Sequence, residues 1–315
     1  MKEIKAETGK AEPEKKAERF LAAAACSDKG KNRQNNEDNF CLNGKYMARG
    51  EMDEGGLFAC SAQGRAVFAV CDGMGGEEAG EEASLLSAQI CASCLQDEGF
   101  RADDKKLRAF LLDGCISVMK QAQKNENRSG STVSVIVAEE DGLHAANMGD
   151  SRIYRLTGGR LAQVSEDHTE VQRLLRRGVI TKAQIKTHPR RHMILQYWGM
   201  PLSVAPFSPY IAPVIPYVNG DRFLICSDGL TDMLEDARIE AILAQRDKKP
   251  EGICRELVQA ALDNGGRDNV TVLVFEVHDE AGAAPQQEKR SFWQRMAERF
   301  SRKKEKRAQE EERQS

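Results

Sequence analysis

The sequence predicts an α+β fold in which helices are layered onto antiparallel sheets. Residues 132–147 and 152–164 each contain two apolar segments that flank a Gly-containing turn, which is the pattern of a β-hairpin. Residues 223–226 and 270–277 are near-continuous apolar runs, typical of strands that are covered on both faces. Hairpins that occur together with long helices favour sheets with helices packed on them.

The remaining elements follow from apolar patterning and helix end signals. Residues 21–26 form a short apolar stretch that predicts the first strand. Residues 77–95 and 106–124 carry small and apolar side chains at helical spacing, so each is predicted to be a helix. Pro250 can open a third helix, which is expected to end at Asn264-Gly265-Gly266.

Two segments look like insertions between these elements. Residues 42–65 are polar and Gly-rich, and we expect them to extend a hairpin. Residues 169–206 contain a helical stretch at 171–177 and a capping-box pattern at 181–184. This second segment is either a small helical flap over a functional site or a structural excursion.

Composition excludes some classes of protein. The 315 residues include 46 basic and 49 acidic side chains, and a net charge of −3 gives no argument for nucleic-acid binding. No apolar run approaches the ~20 residues of a membrane span. The nine cysteines are scattered through apolar runs, which indicates a reducing, cytoplasmic compartment. Cys91 and Cys94 fall in a helical run, so we expect them to pack in the core and not to bind metal.

The chain divides into an arm, a catalytic domain and a tail. Residues 1–19 form a charged arm without a signal-peptide core, residues 20–278 form the domain, and residues 279–315 form a linker and basic tail. In the tail, Phe292 and Met296 recur at helical spacing beside basic residues, which predicts an amphipathic helix. Such a helix can lie on an anionic membrane surface, dock on a partner, or pack back on the domain.

Four acidic motifs, each placed where an apolar run meets a turn, are the strongest functional signal. Alone, an Asp-Gly pair is an ordinary turn signal. Four carboxylates that converge on one point would instead form an all-oxygen site suited to hard cations such as magnesium or manganese. The four motifs contain Asp72 before Gly73, Asp150 after Gly149, Asp228 before Gly229, and Asp268 before Asn269.

These motifs and their order resemble the bacterial branch of the metal-dependent serine/threonine protein phosphatases of type 2C. The resemblance covers roughly residues 23–277. It rests on seven strings in the family order: residues 27–38 (SDKGKNRQNNED), 72–76 (DGMGG), 129–132 (SGST), 149–152 (GDSR), 167–168 (DH), 227–232 (SDGLTD) and 268–271 (DNVT). The family fold is a four-layer αββα sandwich, in which two antiparallel sheets are flanked by helices.

The resemblance implies a role for each metal-site residue. Asp72 would bridge two metal ions, and the carbonyl group of Gly73 would bind one of them. Asp228 and Asp268 would complete the carboxylates of the second ion. Asp150, with Asp228, would hold a third and weaker ion.

The first motif supplies the remaining site residues. By the same resemblance, Glu37 and Asp38 would reach the metal ions through water, and Arg33 would bind the substrate phosphate. An arginine suits that role because its planar guanidinium binds two phosphate oxygens at once. Each of these three side chains could also be an ordinary surface group. Asp72, Asp228 and Arg33 are the expected catalytic residues.

Some neighbouring residues have plausible structural roles. Asp150 could instead pair with Arg152 or close a turn, and Asp232 could cap the following helix. Ser131 and Thr132 are expected to begin a strand, and Asp167-His168 to form a turn into the flap. In the flap, Gln196 stands where bacterial members often have an arginine. That departure bears on substrate preference and not on the metal chemistry.

The expected function is therefore hydrolysis of phosphoserine and phosphothreonine by water that Mn²⁺ or Mg²⁺ activates, with two ions and room for a third. The expected partners are phosphorylated proteins and a bacterial serine/threonine kinase whose action the enzyme opposes. The expected location is the cytoplasm, with peripheral contact to the inner membrane if the tail binds lipid. Two alternatives stay open: a catalytically silent scaffold that binds a phosphoprotein, and a phosphatase of small phosphoesters.

Overall fold

The computed structural model describes residues 19–75, 79–97 and 99–279. The arm up to residue 18 and the tail from residue 280, including its predicted amphipathic helix, lie outside the described residues. The first strand begins at Arg19, where the arm was expected to end, and the last strand ends at Asp279. An ion pair between the Arg19 and Asp279 side chains (3.3 Å) joins these two ends of the domain.

The described chain forms two antiparallel sheets. The first sheet has the strand order β3-β1-β12-β11-β8-β9, and the second has the order β10-β7-β6-β4-β2, with the short β5 beside β4. The strands are β1 (Arg19–Asp28), β2 (Asp38–Leu42), β3 (Gly56–Gln63), β4 (Ala66–Met74), β5 (Gly130–Ser131), β6 (Val133–Glu139), β7 (Gly142–Met148), β8 (Arg152–Thr157), β9 (Arg160–Gln163), β10 (Tyr210–Ile211), β11 (Arg222–Cys226) and β12 (Val270–Asp279).

Three apolar clusters divide the fold into four layers. One cluster lies between the sheets, where Phe68 of β4 stacks on Phe275 of β12 with ring centroids 4.7 Å apart. A second cluster joins the other face of the second sheet to two helices, and a third joins the outer face of the first sheet to two more. This is the αββα sandwich that the family resemblance implied, so the predicted fold class is confirmed.

The helices begin and end at the signals that the sequence carries. Asp103 caps the second long helix by accepting a hydrogen bond from the Lys106 amide (2.8 Å), and Pro250 opens the last helix. The helices are α1 (Arg49–Met52), α2 (Ala79–Ser93), α3 (Asp104–Lys124), α4 (Glu170–Arg176), α5 (Lys182–Ile185), α6 (Asp228–Thr231), α7 (Asp236–Leu243) and α8 (Pro250–Asp263).

Residues 42–65 connect β2 and β4, which pair antiparallel, but they do not lengthen that hairpin as expected. Residues 56–63 form β3, which pairs along its length with β1 in the first sheet, whereas the flanking strands β2 and β4 belong to the second. The segment therefore leaves the second sheet after β2, adds β3 to the first sheet and returns to the second sheet at β4. Its alternating burial is that of an edge strand with one face exposed, which explains its polar composition.

The cysteines behave as small apolar side chains. All nine are free, and Cys91 and Cys94 are buried against the second sheet, as the sequence predicted. A hydrogen bond with Cys71, followed by burial, raises the pKa of the Cys91 thiol well above its usual value, so it is an unreactive thiol. Among the described residues, none of the helices has the length and apolarity that a membrane span requires.

Candidate metal centre

Strand register brings three of the four acidic motifs to one edge of the first sheet. Arg152 at the start of β8 pairs with Cys226 at the end of β11. Asp150 and Asp228, each two residues beyond that pair, therefore extend past the same edge. Strand β12 pairs antiparallel with β11 and begins two residues after Asp268. The three carboxylates consequently lie where the strands give way to loops, as their sequence positions predicted.

The second sheet brings two further carboxylates to the same edge. Asp38 in β2 lies directly opposite Asp72 in β4, so their side chains project from the same face. Thr132 fixes the backbone of Asp72 on its other side, because the Asp72 amide donates to its hydroxyl (3.0 Å) and the Thr132 amide donates to the Asp72 carbonyl group (2.8 Å). Like charges directly opposite each other destabilise a sheet unless a cation lies between them.

Two glycines allow the segments of the site to approach one another. A Cβ atom on Gly73 would lie 2.2 Å from the Gly80 carbonyl oxygen and 2.5 Å from that of Glu37. A Cβ atom on Gly229 would lie 1.9 Å from the Asn269 carbonyl oxygen. Because all three neighbours are backbone atoms, no other residue fits without movement of the chain.

Asn269 organises the loop that carries Arg33 and Glu37. Its side-chain oxygen accepts a hydrogen bond from the Glu37 amide (2.8 Å), and its side-chain nitrogen donates to the carbonyl groups of Lys29 and Asn35 (2.9 Å each). This role was not predicted, although Asn269 was named in the Asp-Asn motif. An amide is needed here because only it both donates and accepts in this way.

Arg33 lies at the exposed side of the same edge. Its guanidinium donates to the Asp268 carboxylate (Nη2 to Oδ2, 2.7 Å), and half of its side chain stays exposed. The hydrogen bond to Asp268 raises the pKa of Arg33 further above its already high value, so its charge is permanent. The structure thus brings Arg33 to the acidic cluster, as the sequence suggested.

The carboxylates perturb one another strongly. Desolvation, followed by the charges of Asp38 and Asp228, raises the pKa of Asp72 well above its usual range. Desolvation, followed by the charges of Asp150 and Asp268, does the same to the pKa of Asp228. Burial raises the pKa of Asp38 to about 7, although a hydrogen bond from Ser227 opposes the rise. Negative charge is therefore concentrated here beyond what the surrounding groups neutralise.

Glu37 lies beside this cluster, at the first turn of α2. A Cβ atom on Gly80 would lie 2.6 Å from its carboxyl carbon, so the glycine makes room for the carboxylate. Desolvation raises the pKa of Glu37, and the charge of Arg33 opposes that rise. Both sequence-predicted carboxylates of the first motif are thus at the edge where the other four lie.

Asp150 has a buried carboxylate oxygen, Oδ1, without a hydrogen-bond partner among the described residues. The expected alternative, pairing with Arg152, is wrong, because Arg152 donates to the Asp167 carboxylate (Nη2 to Oδ2, 2.6 Å). Burial and the charge of Asp167 raise the pKa of Asp150 to about 7. A buried carboxylate oxygen without a partner is costly, and a cation would satisfy it.

The turn into the flap is structural, as predicted. His168 accepts a hydrogen bond from the Gly149 amide (Nδ1, 3.2 Å), and its own amide donates to the Gly149 carbonyl group (2.8 Å). Burial lowers the pKa of His168, which keeps the ring neutral and able to accept. The base of the flap is thereby attached to the residue that precedes Asp150.

Two residues that were not predicted for the site lie beside Asp228. One ligand atom from each of His192, Asp228 and Asp232 lies within 4.8 Å of the others. Asp232 does not cap the following helix, since Glu235 occupies that position. His192 belongs to the flap and is separated from Asp228 by more than thirty residues. Only the tertiary fold brings the two together.

A second cluster with metal-ligand chemistry lies at the turn between β6 and β7. It consists of Glu139, Asp141 and His144, whose ligand atoms also lie within 4.8 Å of one another. A hydrogen bond between His144 Nε2 and Asp141 Oδ1 (3.0 Å) accounts for this arrangement. The cluster is at the opposite end of β6 from Thr132, and therefore away from the acidic edge.

The donor set at the acidic edge fits Mg²⁺ or Mn²⁺. It offers carboxylate and carbonyl oxygens on rigid strand ends, without a cysteine ligand among them, and hard divalent cations prefer such donors. The orphaned Asp150 oxygen and the opposed Asp38 and Asp72 carboxylates are the structural features that a cation would satisfy.

Without metal, the protein is expected to be less stable at about pH 8 than at about pH 5.5. The pKa values of Asp38 and Asp150 are about 7 in the folded state, against about 3.9 when unfolded. Between those values the folded state binds more protons. The free energy of unfolding therefore falls as pH rises, by at most about 1.4 kcal/mol per pH unit for each carboxyl group.

Thermal denaturation in EDTA at the two pH values checks this prediction. Asp150→Asn should flatten the pH dependence, and added Mn²⁺ should stabilise the wild type more at the higher pH, because the cation replaces the protons. A melting temperature in EDTA that rises with pH, and does so equally in the wild type and in Asp150→Asn, would contradict this prediction.

Comparison with known proteins gives consistent matches. The family described as Protein phosphatase 2C matches residues 47–251. The chain is 30% identical to "Serine/threonine phosphatase stp" of Listeria welshimeri over 258 residues, which are 79% of this chain and 93% of that protein.

Two solved structures are also similar. The serine/threonine phosphatase PstP/Ppp of Mycobacterium tuberculosis is 31% identical with a TM-score of 0.68, and the match covers 82% of this chain and 99% of that one. The catalytic domain of PstP in complex with two manganese ions is 31% identical with a TM-score of 0.66, covering 83% of this chain and 100% of that one.

Proposed function

The chain belongs to the protein phosphatase 2C family and is accordingly a metal-dependent protein serine/threonine phosphatase, for which we propose the residues that perform the reaction. Its substrates are phosphorylated proteins, and its cofactor is Mn²⁺ or Mg²⁺. Two ions are proposed because the similar PstP domain holds two manganese ions. The matched relatives are named as phosphatases, which favours catalysis over the silent scaffold.

The metal-holding residues are proposed from the acidic edge. Asp72 would hold both ions and the Gly73 carbonyl group one of them, with Asp228 and Asp268 supplying the remaining carboxylates. Glu37 and Asp38 would act through water, and Asp150 with Asp228 would hold a third ion. The observation that supports this proposal is the convergence of carboxylates at one end of the two sheets. Asp38 lies opposite Asp72, Asp150 and Asp228 each lie two residues beyond a paired position of β8 and β11, and Asp268 lies two residues before β12.

Each group then has a chemical task. When bound, the two cations lower the pKa of water, so that hydroxide is available as the nucleophile near neutral pH. Arg33 binds the phosphoryl oxygens and sets the phosphorus atom in line with the leaving oxygen. Thr132 holds the backbone of Asp72, and Asn269 holds the loop of Arg33 and Glu37, so the groups are arranged before substrate binds.

The biological setting is also a proposal. The enzyme opposes a bacterial serine/threonine kinase in signalling and acts in the cytoplasm, where its nine free cysteines stay reduced. The charged arm predicted over residues 1–19 precedes the catalytic domain in the sequence. Residues 279–315 are a linker and basic tail that docks on an anionic membrane surface or on a partner, because its sequence repeats Phe292 and Met296 at helical spacing beside basic residues.

A substrate panel tests the proposed reaction. The full chain with Mn²⁺ is expected to release phosphate from phosphoserine and phosphothreonine peptides, and much less from a phosphotyrosine peptide or from sugar phosphates. EDTA should abolish release, and Mg²⁺ should restore it at least in part. Equal or faster release from sugar phosphates would instead identify a phosphatase of small phosphoesters, and no release by folded protein would favour the scaffold.

A further inference from the structure

The flap, residues 169–206, is strongly basic. It contains seven lysines and arginines and one acidic residue, Glu170, so its net charge is +6 in a chain whose net charge is −3. All seven basic side chains are exposed. They are Arg173, Arg176, Arg177, Lys182, Lys186, Arg190 and Arg191. A positive surface of this size is available to bind anions.

The flap is attached on both sides of the metal centre. At its start, His168 is hydrogen-bonded to Gly149, next to Asp150. At its return, Trp198 pairs with Ser131, and its indole ring is fully buried beside α3. The positive surface is therefore held in a defined place relative to the acidic edge.

Two of the basic residues, Lys186 and Arg191, lie close to the acidic edge. His192 Nε2 lies 3.7 Å from an oxygen of Asp232, within the group that includes Asp228. Arg191 is adjacent in the chain, so its Cα atom is about 3.8 Å from that of His192. Lys186 forms an ion pair with Glu235, just beyond Asp232. A peptide whose phosphate lies at the metal centre would pass alongside these cations.

Part of this charge is left over after internal pairing. Arg173 and Arg190 lie within 4.0 Å of Glu170, Arg176 pairs with Glu166, and Lys186 pairs with Glu235. The other three cations have no ion pair among the described residues. These are Arg177, Lys182 and Arg191. Such charges usually form a solvated face, but Arg191 is next in sequence to His192, whose side chain lies beside Asp232 and Asp228.

Gln196 does not contribute to the positive surface of the flap. It is buried, and its side chain donates to the Pro206 carbonyl group (3.0 Å) and accepts from the Ser208 amide (2.9 Å). Gln196 thus holds together the return of the flap toward β10. The positive charge of this flap comes from residues before it.

We propose that the flap selects phosphoserine and phosphothreonine substrates whose neighbouring residues are anionic, either Asp and Glu or a second phosphorylated residue. The inference rests on the proposed function, because the metal centre must bind the phosphate that is removed. Exposed ion pairs are individually weak, so the selection comes from several cations together and is sensitive to salt.

Four phosphothreonine peptides of equal length test the inference with the full chain and Mn²⁺. Their flanks carry Asp and Glu, a second phosphothreonine, neutral residues, or Lys. At low salt, kcat/KM for the anionic peptides should exceed that for the neutral peptide by roughly tenfold, and about 0.5 M NaCl should remove most of the difference. The first two peptides separate carboxylate from phosphate as the preferred anion.

Charge reversal locates the effect. In Arg177→Glu/Lys182→Glu/Arg191→Glu the ratio of anionic to neutral kcat/KM should fall to one or below. The matched control is Lys105→Glu/Arg108→Glu/Lys120→Glu, which makes the same charge change on the exposed face of α3 and should keep the wild-type ratio. If reversal unfolds the protein, Gln substitutions at the same three flap positions replace it.

The outcomes are distinct from those of the proposed function. Equal kcat/KM for all four peptides, or a ratio that falls equally in both triple variants, overturns the flap inference while the phosphatase activity stands. No release from any peptide by folded wild type overturns the proposed function and this inference with it.

Discussion

Asp228→Asn is expected to lower metal-dependent phosphate release by on the order of 10³-fold while the protein stays folded. Asp228 lies at the start of α6, among carboxylates that raise its pKa well above the usual range. Asparagine has nearly the same shape but lacks the negative charge that a divalent cation requires. The loss should therefore be in catalysis and metal binding, and not in folding.

A stability measurement separates this explanation from simple unfolding. In EDTA, Asp228→Asn should melt at the wild-type temperature or above it, because the substitution removes a charge that its neighbours repel. With Mn²⁺, the wild type should gain stability and the variant should gain much less. Asp113→Asn on the exposed face of α3 is the matched control and should behave as wild type. If the variant keeps both its activity and the stabilisation by Mn²⁺, Asp228 does not belong to the metal site.

Much of the fold was predictable because its signals are local. Each hairpin joins strands that are adjacent in sequence, such as β6 and β7, so turn residues and alternation are sufficient to predict it. The helices carry their own caps and apolar stripes. The αββα layering came from the family resemblance, since local patterns do not state which sheet a strand joins. The β3 strand shows this limit, because its partner is β1 and not a neighbouring strand.

The acidic residues of the site were predictable for a related reason. Each Asp occupies a strand end, and the sequence pattern marks strand ends directly. The groups that hold those residues in place were not predictable. Ser227 donates to Asp38 (2.7 Å) across 189 residues, and Asn269 binds Glu37 across 232 residues. Such contacts depend on the three-dimensional packing, and no local pattern records them.

Arg33→Ala is expected to lower kcat/KM for a phosphothreonine peptide by about 10- to 100-fold, mainly through a higher KM. The guanidinium is half exposed and permanently charged, so it is free to bind a phosphate on its open side. Arg33→Lys should restore only part of the loss, because an ammonium group cannot bind two phosphate oxygens in one plane. Arg267→Ala is the matched control, since Arg267 is exposed on the same loop as Asp268.

A competing role for Arg33 follows from its hydrogen bond to Asp268. If Arg33 only held that carboxylate in position, Arg33→Ala would weaken the stabilisation by Mn²⁺ and leave KM for the peptide unchanged. If Arg33 binds substrate, KM rises while the Mn²⁺-induced rise in melting temperature stays near that of the wild type. The two measurements together therefore decide whether Arg33 acts on the phosphate or through the metal ligand, and an unchanged KM would overturn the phosphate-binding assignment.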